Sequence, residues 1–170
     1  DRLSKIIQRV RTYAKRQHHE VKQENLSEIV DRALVSFRRS SLSSGVDVEV
    51  KAPGKADALA DALELELLIV NLLKNAAAAS KDSREKLISV QLSEEANEWL
   101  LSVSDHGQVI SDKLLSRLSH PAKSLSDGLG LGLSICRLIA ENHGGKLTFK
   151  PNNSKGLIVT LHLPKANKEI

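Results

Sequence analysis

The sequence predicts an α+β fold, a two-layer α/β sandwich in which helices pack on one face of a mixed sheet, preceded by a helical stub. Segments with helix and strand periodicity follow one another in the order two helices, strand, helix, two strands, long loop, helix, two strands. These strands outnumber the crossovers that a fully parallel sheet would require, so some of them must pair antiparallel. A length of 170 residues fits one domain with its own core.

Composition narrows the class of protein. Cys136 is the single cysteine and lies in an apolar-periodic segment, so an internal disulfide is impossible and a reducing, cytosolic setting is expected. The net charge of +4 is mild and aromatic residues make up only 2%, so nucleic acid is not an expected partner. Methionine is absent from the sequence, and we expect the chain to be a piece of a longer protein.

The first elements are two helices and a strand. Apolar residues recur at three- and four-residue spacing from residue 1 to about 22 and predict an amphipathic helix. Its apolar seam packs either on the chain's own domain or in a helical bundle or dimerisation hairpin. A second helix is predicted over 26–42, and alternating valines predict a half-buried strand over 46–50. The seam consists of Leu3, Ile6, Ile7, Val10, Tyr13 and Ala14.

The remaining elements follow from composition and punctuation. An alanine- and leucine-rich run without glycine or proline predicts a helix over 60–80, and strands are predicted over 87–92 and 99–103 with a hairpin turn at 94–98. Residues 106–127 lack periodicity and are expected to form an unusually long loop. A helix over about 130–142 is predicted to end in a left-handed cap at Gly144-Gly145, before strands over 146–150 and 157–163.

Three glycines alternate with leucines in SDGLGLGLS, at Gly128, Gly130 and Gly132, immediately before the last predicted helix. Glycine lets an anion approach the backbone amides, and the first turn of a helix presents unpaired N–H groups that bind phosphate. The alternative is that these glycines serve chain geometry alone. The stretch lacks the Gly-Lys-Ser/Thr ending of a Walker loop and the βαβ setting of a Rossmann fingerprint.

Two further motifs carry polar side chains. Asn71 and Asn75 are four residues apart in ELLIVNLLKNAAAAS and lie on one helical face. An amide oxygen is a hard ligand suited to Mg²⁺, and the alternative is an asparagine pair hydrogen-bonded in the core. In VSDHG at a strand end, Asp105 could accept a hydrogen bond from an exocyclic amino group, while Gly107 would leave room for a flat base.

Taken in this order, the motifs resemble those of the ATP-binding domain of bacterial two-component sensor histidine kinases, over roughly residues 46–164. NLLKNA at 71–76 is similar to the N box of that family, DHG at 105–107 to its first glycine box, and GLGLGLSICRLIAENHGGKL at 128–147 to its second glycine box and the following helix. The resemblance implies the Bergerat (GHKL) fold of chaperone, gyrase and mismatch-repair ATPases, with a mobile lid at 109–127.

The resemblance also implies a role for each matching residue. Asp105 would fix adenine beside Gly107, Asn75 would hold Mg²⁺, and Asn71 would support the phosphate side, so both asparagines are predicted to be catalytic. The triphosphate would be wrapped by Gly128, Gly130, Leu131 and Gly132. Ala78 stands where some relatives carry a phosphate-binding lysine, which Lys123 of the lid or Lys74 would replace.

At the level of the domain, residues 1–22 would be the C-terminal helix of a dimerisation and phosphoacceptor hairpin, and 23–170 the catalytic domain. The implied function is transfer of the ATP γ-phosphate to a histidine of that mostly absent hairpin, for relay to a response regulator receiver domain. The full-length parent would be a homodimer, with this domain in the cytoplasm. Whether the parent is anchored in the inner membrane is left open.

Several positions depart from the family pattern and leave alternatives. Val109 replaces a usual glycine, the lid lacks its aromatic motif, and Leu157 or Ile158 stands where a threonine is usual. One alternative is a GHKL-type ATPase, but Asn71 occupies the position of the carboxylate that would activate water. The other is a nucleotide-binding interaction module with a decayed site.

Overall fold

The computed structural model describes residues 20–120, 131–153 and 155–165. Its strands are β1 (Lys22–Asn25), β2 (Asp47–Lys51), β3 (Asp57–Ala60), β4 (Leu87–Glu94), β5 (Glu98–Ser104), β6 (Lys146–Pro151) and β7 (Leu157–Pro164). Its helices are α1 (Leu26–Arg38), α2 (Ala62–Ala79), α3 (Asp112–Ser119) and α4 (Leu131–Asn142), with a short 3₁₀ turn at Ser41–Ser43. Most of the helix predicted over 1–22 lies outside the described residues.

The main sheet has five strands in the order β2-β4-β5-β7-β6. Strand β2 pairs parallel with β4, while the other three neighbouring pairs are antiparallel. All five strands predicted from the sequence lie in this sheet. The mixed pairing therefore confirms the predicted α+β class, and the antiparallel β6–β7 pair agrees with the exclusion of a Rossmann unit.

The core lies between one face of this sheet and the layer formed by α1, α2 and α4. Every second residue along the central strands is buried, as the strand period of two requires, while the residues between them are half-buried or exposed. Helices α1, α2 and α4 pack on this one face of the sheet, as predicted. The buried strand residues are Ile88, Val90, Leu92, Trp99, Leu101, Val103, Val159, Leu161 and Leu163, and they pack with Ile29, Phe37, Leu65, Leu68, Ile69, Leu72 and Ile139 of the helices.

A second, two-stranded antiparallel sheet joins β1 to β3, with Lys22 opposite Ala60 and Asn25 opposite Asp57. The sequence did not predict either strand. Each has only four residues, and KQEN of β1 has neither β-branched residues nor apolar alternation. Their pairing joins segments more than 30 residues apart, so no local pattern indicates it.

Side-chain caps correct two of the predicted helix bounds. Asp61 Oδ1 accepts hydrogen bonds from the Leu63 and Glu64 backbone N–H groups at 3.0 and 3.1 Å, so α2 begins at Ala62 rather than at residue 60. Helix α1 ends at Arg38 rather than at residue 42. Ser40 starts the separate 3₁₀ turn by accepting a hydrogen bond from Leu42 N at 3.2 Å.

The prediction that residues 106–127 form a loop is wrong for part of that span, because it contains helix α3. Ser111 caps the helix through its hydroxyl, which accepts from Leu114 N at 3.1 Å, and Leu118 is buried. With only eight residues, α3 is too short for its apolar spacing to stand out from the polar span around it. Residues 121–130 of the predicted lid lie outside the described residues.

The end of α4 agrees with its prediction. The helix ends at Asn142, and Gly144 has a φ of +68°, the left-handed conformation expected of a glycine cap.

In the described ranges, no helix has both the length and the apolar character needed to cross a membrane.

Candidate functional site

Helix α2 carries the two asparagines on the side turned away from the core. Asn71 is half-buried and its Nδ2 donates to the Leu67 carbonyl of the same helix at 2.8 Å, which fixes the direction of the amide. Asn75 is exposed and makes no side-chain hydrogen bond to any described residue. The asparagines are therefore not a hydrogen-bonded core pair, and the Asn75 amide is accessible to a ligand.

The beginning of α4 lies directly against Asn71. A Cβ atom added to Gly132 would sit 3.1 Å from Asn71 Oδ1, closer than side chains normally approach. Gly132 is in the first turn of α4, where backbone N–H groups lack helical partners and the helix dipole is positive. The glycine therefore lets a helix N-terminus that can bind an anion approach the asparagine face of α2.

Of the other residues predicted for the phosphate side, only Leu131 lies within the described residues. Gly128, Gly130 and Lys123 fall outside the described residues. Leu131 is the first residue of α4, and only its backbone is described. Of the predicted phosphate-side residues, the structure thus brings together Gly132 and Asn71, with Asn75 one turn further along α2.

Asp105 lies at the end of β5 and is one of the few buried acidic residues, with 6% of its surface exposed. Its Oδ1 accepts from Gly107 N at 2.8 Å and more weakly from Leu157 N at 3.4 Å. Desolvation by burial raises the pKa of Asp105 above its ordinary value, although these two hydrogen bonds oppose the shift. No described residue donates a hydrogen bond to the second oxygen, Oδ2, which is therefore available to a donor on a ligand.

Gly107 has a packing role that the sequence did not indicate. A Cβ atom at this position would lie 2.7 Å from the Ala79 carbonyl at the end of α2 and 3.0 Å from Asp105 Oδ1. Ser83 strengthens the same junction, because its hydroxyl donates to the His106 carbonyl at 2.6 Å. The glycine therefore allows the loop after β5 to lie against the C-terminal end of α2.

Two residues that the sequence analysis missed hold Asp105 from the other side. Asn152 Nδ2 donates to the Asp105 carbonyl at 2.7 Å, and Gly156 N donates to the Gln108 carbonyl at 2.9 Å. Gly156 has a φ of +97°, and a Cβ atom there would lie 1.9 Å from the Asp105 carbonyl oxygen. The polar cluster before the last strand indicated a turn, but nothing in it pointed to Asp105.

An open cleft of about 1040 Å³ lies beside Gly107, between the end of α2, the loop after β5 and the β6–β7 turn. Its charged residues are of both signs, with Arg84 and Lys155 near Asp82 and Glu85. His106 lines it and its Nε2 lies 3.7 Å from a carboxylate oxygen of Glu85.

The arrangement has two chemically different ends joined by α2. At one end Asn71, Asn75 and the N-terminus of α4 offer amide oxygens and N–H groups, which suit a metal ion and phosphate. At the other end, about 12 Å further along the helix at 1.5 Å per residue, Gly107 and Asp105 offer a carboxylate oxygen in a buried setting. A ligand with an amino-substituted base at one end and phosphates at the other matches both.

Known proteins with similar sequences agree with the family that the motifs resemble. A sequence model of the family described as histidine kinase-, DNA gyrase B-, and HSP90-like ATPase matches residues 60–167, which include every motif above. The sensor protein FixL of Bradyrhizobium diazoefficiens is 30% identical over 173 residues, covering 98% of this chain and 34% of FixL. The C4-dicarboxylate transport sensor protein DctB of Rhizobium meliloti is 30% identical over 168 residues, 98% of this chain and 27% of DctB. The chain thus spans about a third of the length of these relatives, or less.

Solved structures share the fold. The nucleotide-free catalytic domain of the histidine kinase ThkA has a TM-score of 0.72 and 25% identity, covering 86% of this chain and 97% of that domain. The histidine kinase ThkA in complex with the response regulator protein TrrA has a TM-score of 0.76 at 24% identity, covering 99% of this chain and 49% of that chain.

The motifs, their arrangement around α2 and the comparisons all agree with the resemblance to sensor histidine kinases. The family match covers more than half of the chain. The solved structures that resemble the chain include histidine kinase catalytic domains. The chain therefore belongs to the histidine kinase-, DNA gyrase B- and HSP90-like ATPase family and has the fold of a histidine kinase catalytic domain.

Proposed function

We propose that this chain binds Mg-ATP and transfers the γ-phosphoryl group to a histidine of a dimerisation domain, from which it passes to a response regulator. The observation that carries the proposal is the contact of Gly132 with Asn71, where an added Cβ would lie 3.1 Å from Oδ1. This contact brings Gly132, the last glycine of the glycine-rich segment, onto the asparagine face of α2. The other end of the same helix meets Gly107, next to Asp105.

The base would be held by Asp105. Its Oδ1 already accepts hydrogen bonds from the protein, and this leaves Oδ2 to accept one from the exocyclic amino group of adenine. A buried carboxylate that loses such a donor remains desolvated and unpaired, so the site discriminates against bases without an amino group at that position. This pairing accounts for a buried acid at a strand end.

The phosphates would lie between α2 and the N-terminus of α4. Asn71 is oriented by its bond to Leu67, and Gly132 in the first turn of α4 lies against it. Gly128, Gly130, Leu131 and Lys123 are proposed to complete the enclosure, on the basis of the family motif. Phosphoryl transfer depends mainly on positioning and on neutralising charge, which is what such groups provide.

The residues present also fit a magnesium ion. Mg²⁺ prefers hard oxygen ligands, keeps several waters and takes others from substrate phosphates, so one protein amide oxygen can suffice. Asn75 offers such an oxygen, since it is exposed and one turn from Asn71 on the same helical face. When bound, the ion would neutralise negative charge on the phosphates.

The acceptor histidine and the dimer belong to the proposed parent protein, and the response regulator is its proposed partner. The curated relatives FixL and DctB are much longer than this chain and are named as sensor proteins. One structure with the same fold was solved with a response regulator bound. We propose the same partners here, with a homodimeric parent and this domain in the cytoplasm.

Calorimetric titration tests the nucleotide site. The chain should bind ADP and a non-hydrolysable ATP analogue, more tightly with Mg²⁺ than without it. Asn75→Ala should remove the Mg²⁺ dependence and weaken binding by about tenfold or more, because it deletes the only protein ligand proposed for the ion.

The matched control is Asn97→Ala, which removes another exposed asparagine amide in the β4–β5 turn. Its titration curve should coincide with that of the unmutated chain. Failure of the unmutated chain to bind either nucleotide would contradict the proposal, and equal Mg²⁺ dependence in both variants would contradict the role of Asn75.

A further inference from the structure

His143 follows the last residue of α4 and connects that helix to the start of α2. Its side chain is 2% exposed. Nδ1 lies 2.8 Å from the Ile139 carbonyl oxygen of its own helix, and Nε2 lies 3.0 Å from the backbone nitrogen of Asp61, the N-cap residue of α2. The imidazole therefore bridges the two helices that carry the phosphate-side residues.

The partners of the two ring nitrogens determine the protonation state. A backbone N–H can only donate, so Nε2 must accept from Asp61, and a carbonyl can only accept, so Nδ1 must carry the proton. Only the neutral imidazole with its hydrogen on Nδ1 makes both bonds. Glu64 Oε2 lies 3.8 Å from Nδ1 and is the acidic oxygen closest to the ring among the described residues.

Three contacts connect α2 and α4 in antiparallel register. Asp61 meets His143 at one end, Leu68 O accepts from Cys136 Sγ at 3.6 Å in the middle, and Asn71 Oδ1 faces Gly132 at the other end. Numbers rise along α2 as they fall along α4. Of these three contacts, the bond from Asp61 to His143 is the strong hydrogen bond, because a thiol is a weak donor and Gly132 has no side chain.

We infer that His143 is a positioning residue for the nucleotide site, which fixes the register of α4 on α2 and so keeps the N-terminus of α4 against Asn71. The bond lies about 15 Å from Asn71, ten residues along α2 at 1.5 Å each, so His143 touches neither phosphate nor metal. Its influence is transmitted because both helices are rigid and the space at Gly132 is too tight to absorb a shift. The inference rests on the proposed function only for its affinity readout.

Two conservative variants of His143 separate its bond to Asp61 from its bond to Ile139. In His143→Gln, the amide oxygen reaches the position of Nε2 and can still accept from Asp61 N. In His143→Asn, the shorter side chain can replace Nδ1 within its own helix but cannot reach α2. If the bridge positions the site, the asparagine variant should bind Mg-ADP about tenfold more weakly while the glutamine variant stays within about threefold of the unmutated chain.

The second readout needs no nucleotide. The side-chain amide resonances of Asn71 in ¹H–¹⁵N spectra should move in His143→Asn and remain near their native positions in His143→Gln. His162→Asn is the control, because the His162 side chain bonds Glu98 and Thr148 of the sheet rather than a residue of α2 or α4, and it should change neither readout.

The outcomes are distinguishable. If the unmutated chain binds no nucleotide, the proposed function fails, and the Asn71 resonances still decide the role of His143. If both His143 variants behave alike in affinity and in the Asn71 spectrum, the positioning role is wrong while the proposed function stands. If His143→Asn does not fold, the glutamine variant decides, since reduced affinity in a folded His143→Gln overturns the inference and native affinity supports it.

Discussion

The two carboxylate oxygens of Asp105 have different surroundings. Oδ1 accepts from Gly107 and Leu157, which fixes the loop after β5, while no described residue donates to Oδ2. Burial raises the pKa of Asp105, so the native protein holds this proton more tightly than the unfolded chain does. The ionised form therefore reduces stability at neutral pH, and this cost disappears as pH falls through the raised native pKa towards the ordinary value.

Asp105→Asn should separate stability from binding. The amide oxygen can keep the bonds of Oδ1, so at about pH 7 the free energy of unfolding should equal or slightly exceed that of the unmutated chain, by less than about 1 kcal/mol. The difference should shrink or reverse as pH falls towards about 4, because the native carboxyl becomes protonated as pH falls through its raised pKa. Urea unfolding at both pH values measures it.

Asp105→Asn should weaken nucleotide binding, although it does not lower the stability of the protein at neutral pH. The asparagine NH₂ group replaces the acceptor oxygen that faces the adenine amino group, so affinity for ADP should fall about tenfold or more. Affinity for inosine diphosphate, which has an oxygen in place of that amino group, should fall much less. If the variant lost affinity for both nucleotides equally, Asp105 would be structural rather than a base-reading residue. A free energy of unfolding lower by more than about 2 kcal/mol would show the same.

At the scale of elements, the β6–β7 turn is part of the site because it presses on the loop after β5. Gly156 and Asn153 both have positive φ, at +97° and +48°. The backbone of Gly156 touches Asp105 so closely that no side chain fits between them. The β6–β7 turn, far from β5 in the sequence, thus holds Asp105 in place.

Gly156→Ala should lower the free energy of unfolding by at least about 2 kcal/mol, because the added methyl meets the Asp105 carbonyl and the left-handed φ disfavours alanine. Gly54→Ala is the matched control, since nothing lies within 4 Å of an added Cβ there. It should change stability by no more than about 1 kcal/mol. Similar urea midpoints for the two variants would contradict the close approach of the turn to Asp105.

At the scale of the molecule, one helix connects all parts of the proposed site to the core. Buried leucines of α2 pack on the sheet, its exposed face carries the asparagines, and its end contacts the loop of Asp105. Three of the four described histidines have structural surroundings: His143 bridges two helices, His162 lies between Glu98 and Thr148, and His120 Nδ1 lies 2.7 Å from the Ser116 carbonyl. The fourth, His106, lines the cleft beside Gly107.

The chain should therefore bind ATP without phosphorylating itself. Incubation with γ-labelled ATP and Mg²⁺ should leave no stoichiometric acid-labile label on the protein, because no histidine of this sequence matches the acceptor motif of the family. Acid-labile phosphohistidine at one label per chain would contradict this expectation. Repeating the reaction with His18→Gln and His19→Gln together would then show whether that pair had accepted the phosphate.

Local sequence features were sufficient to predict the five strands of the main sheet and helices α1, α2 and α4. Apolar periodicity indicates most of these elements, whereas α2 follows from an alanine- and leucine-rich composition without glycine or proline. It also identified Asn71, Asn75, Asp105 and the glycine-rich segment, because unusual residue types stand in recognisable order. Strands β1 and β3 and helix α3 were missed because they are short, with four residues in each strand and eight in the helix. The division at residue 22 and the individual site roles stay predictions.

Tertiary structure alone decided which of these residues meet. That Gly107 fits against the Ala79 carbonyl, Gly156 against Asp105 and Gly132 against Asn71 depends on backbone segments brought together across the chain. The same holds for His143, which had no assignable role in the sequence and bonds Asp61, 82 residues away. Local sequence sets the period and the caps, whereas contacts between distant segments arise only when the helices and the sheet share one core.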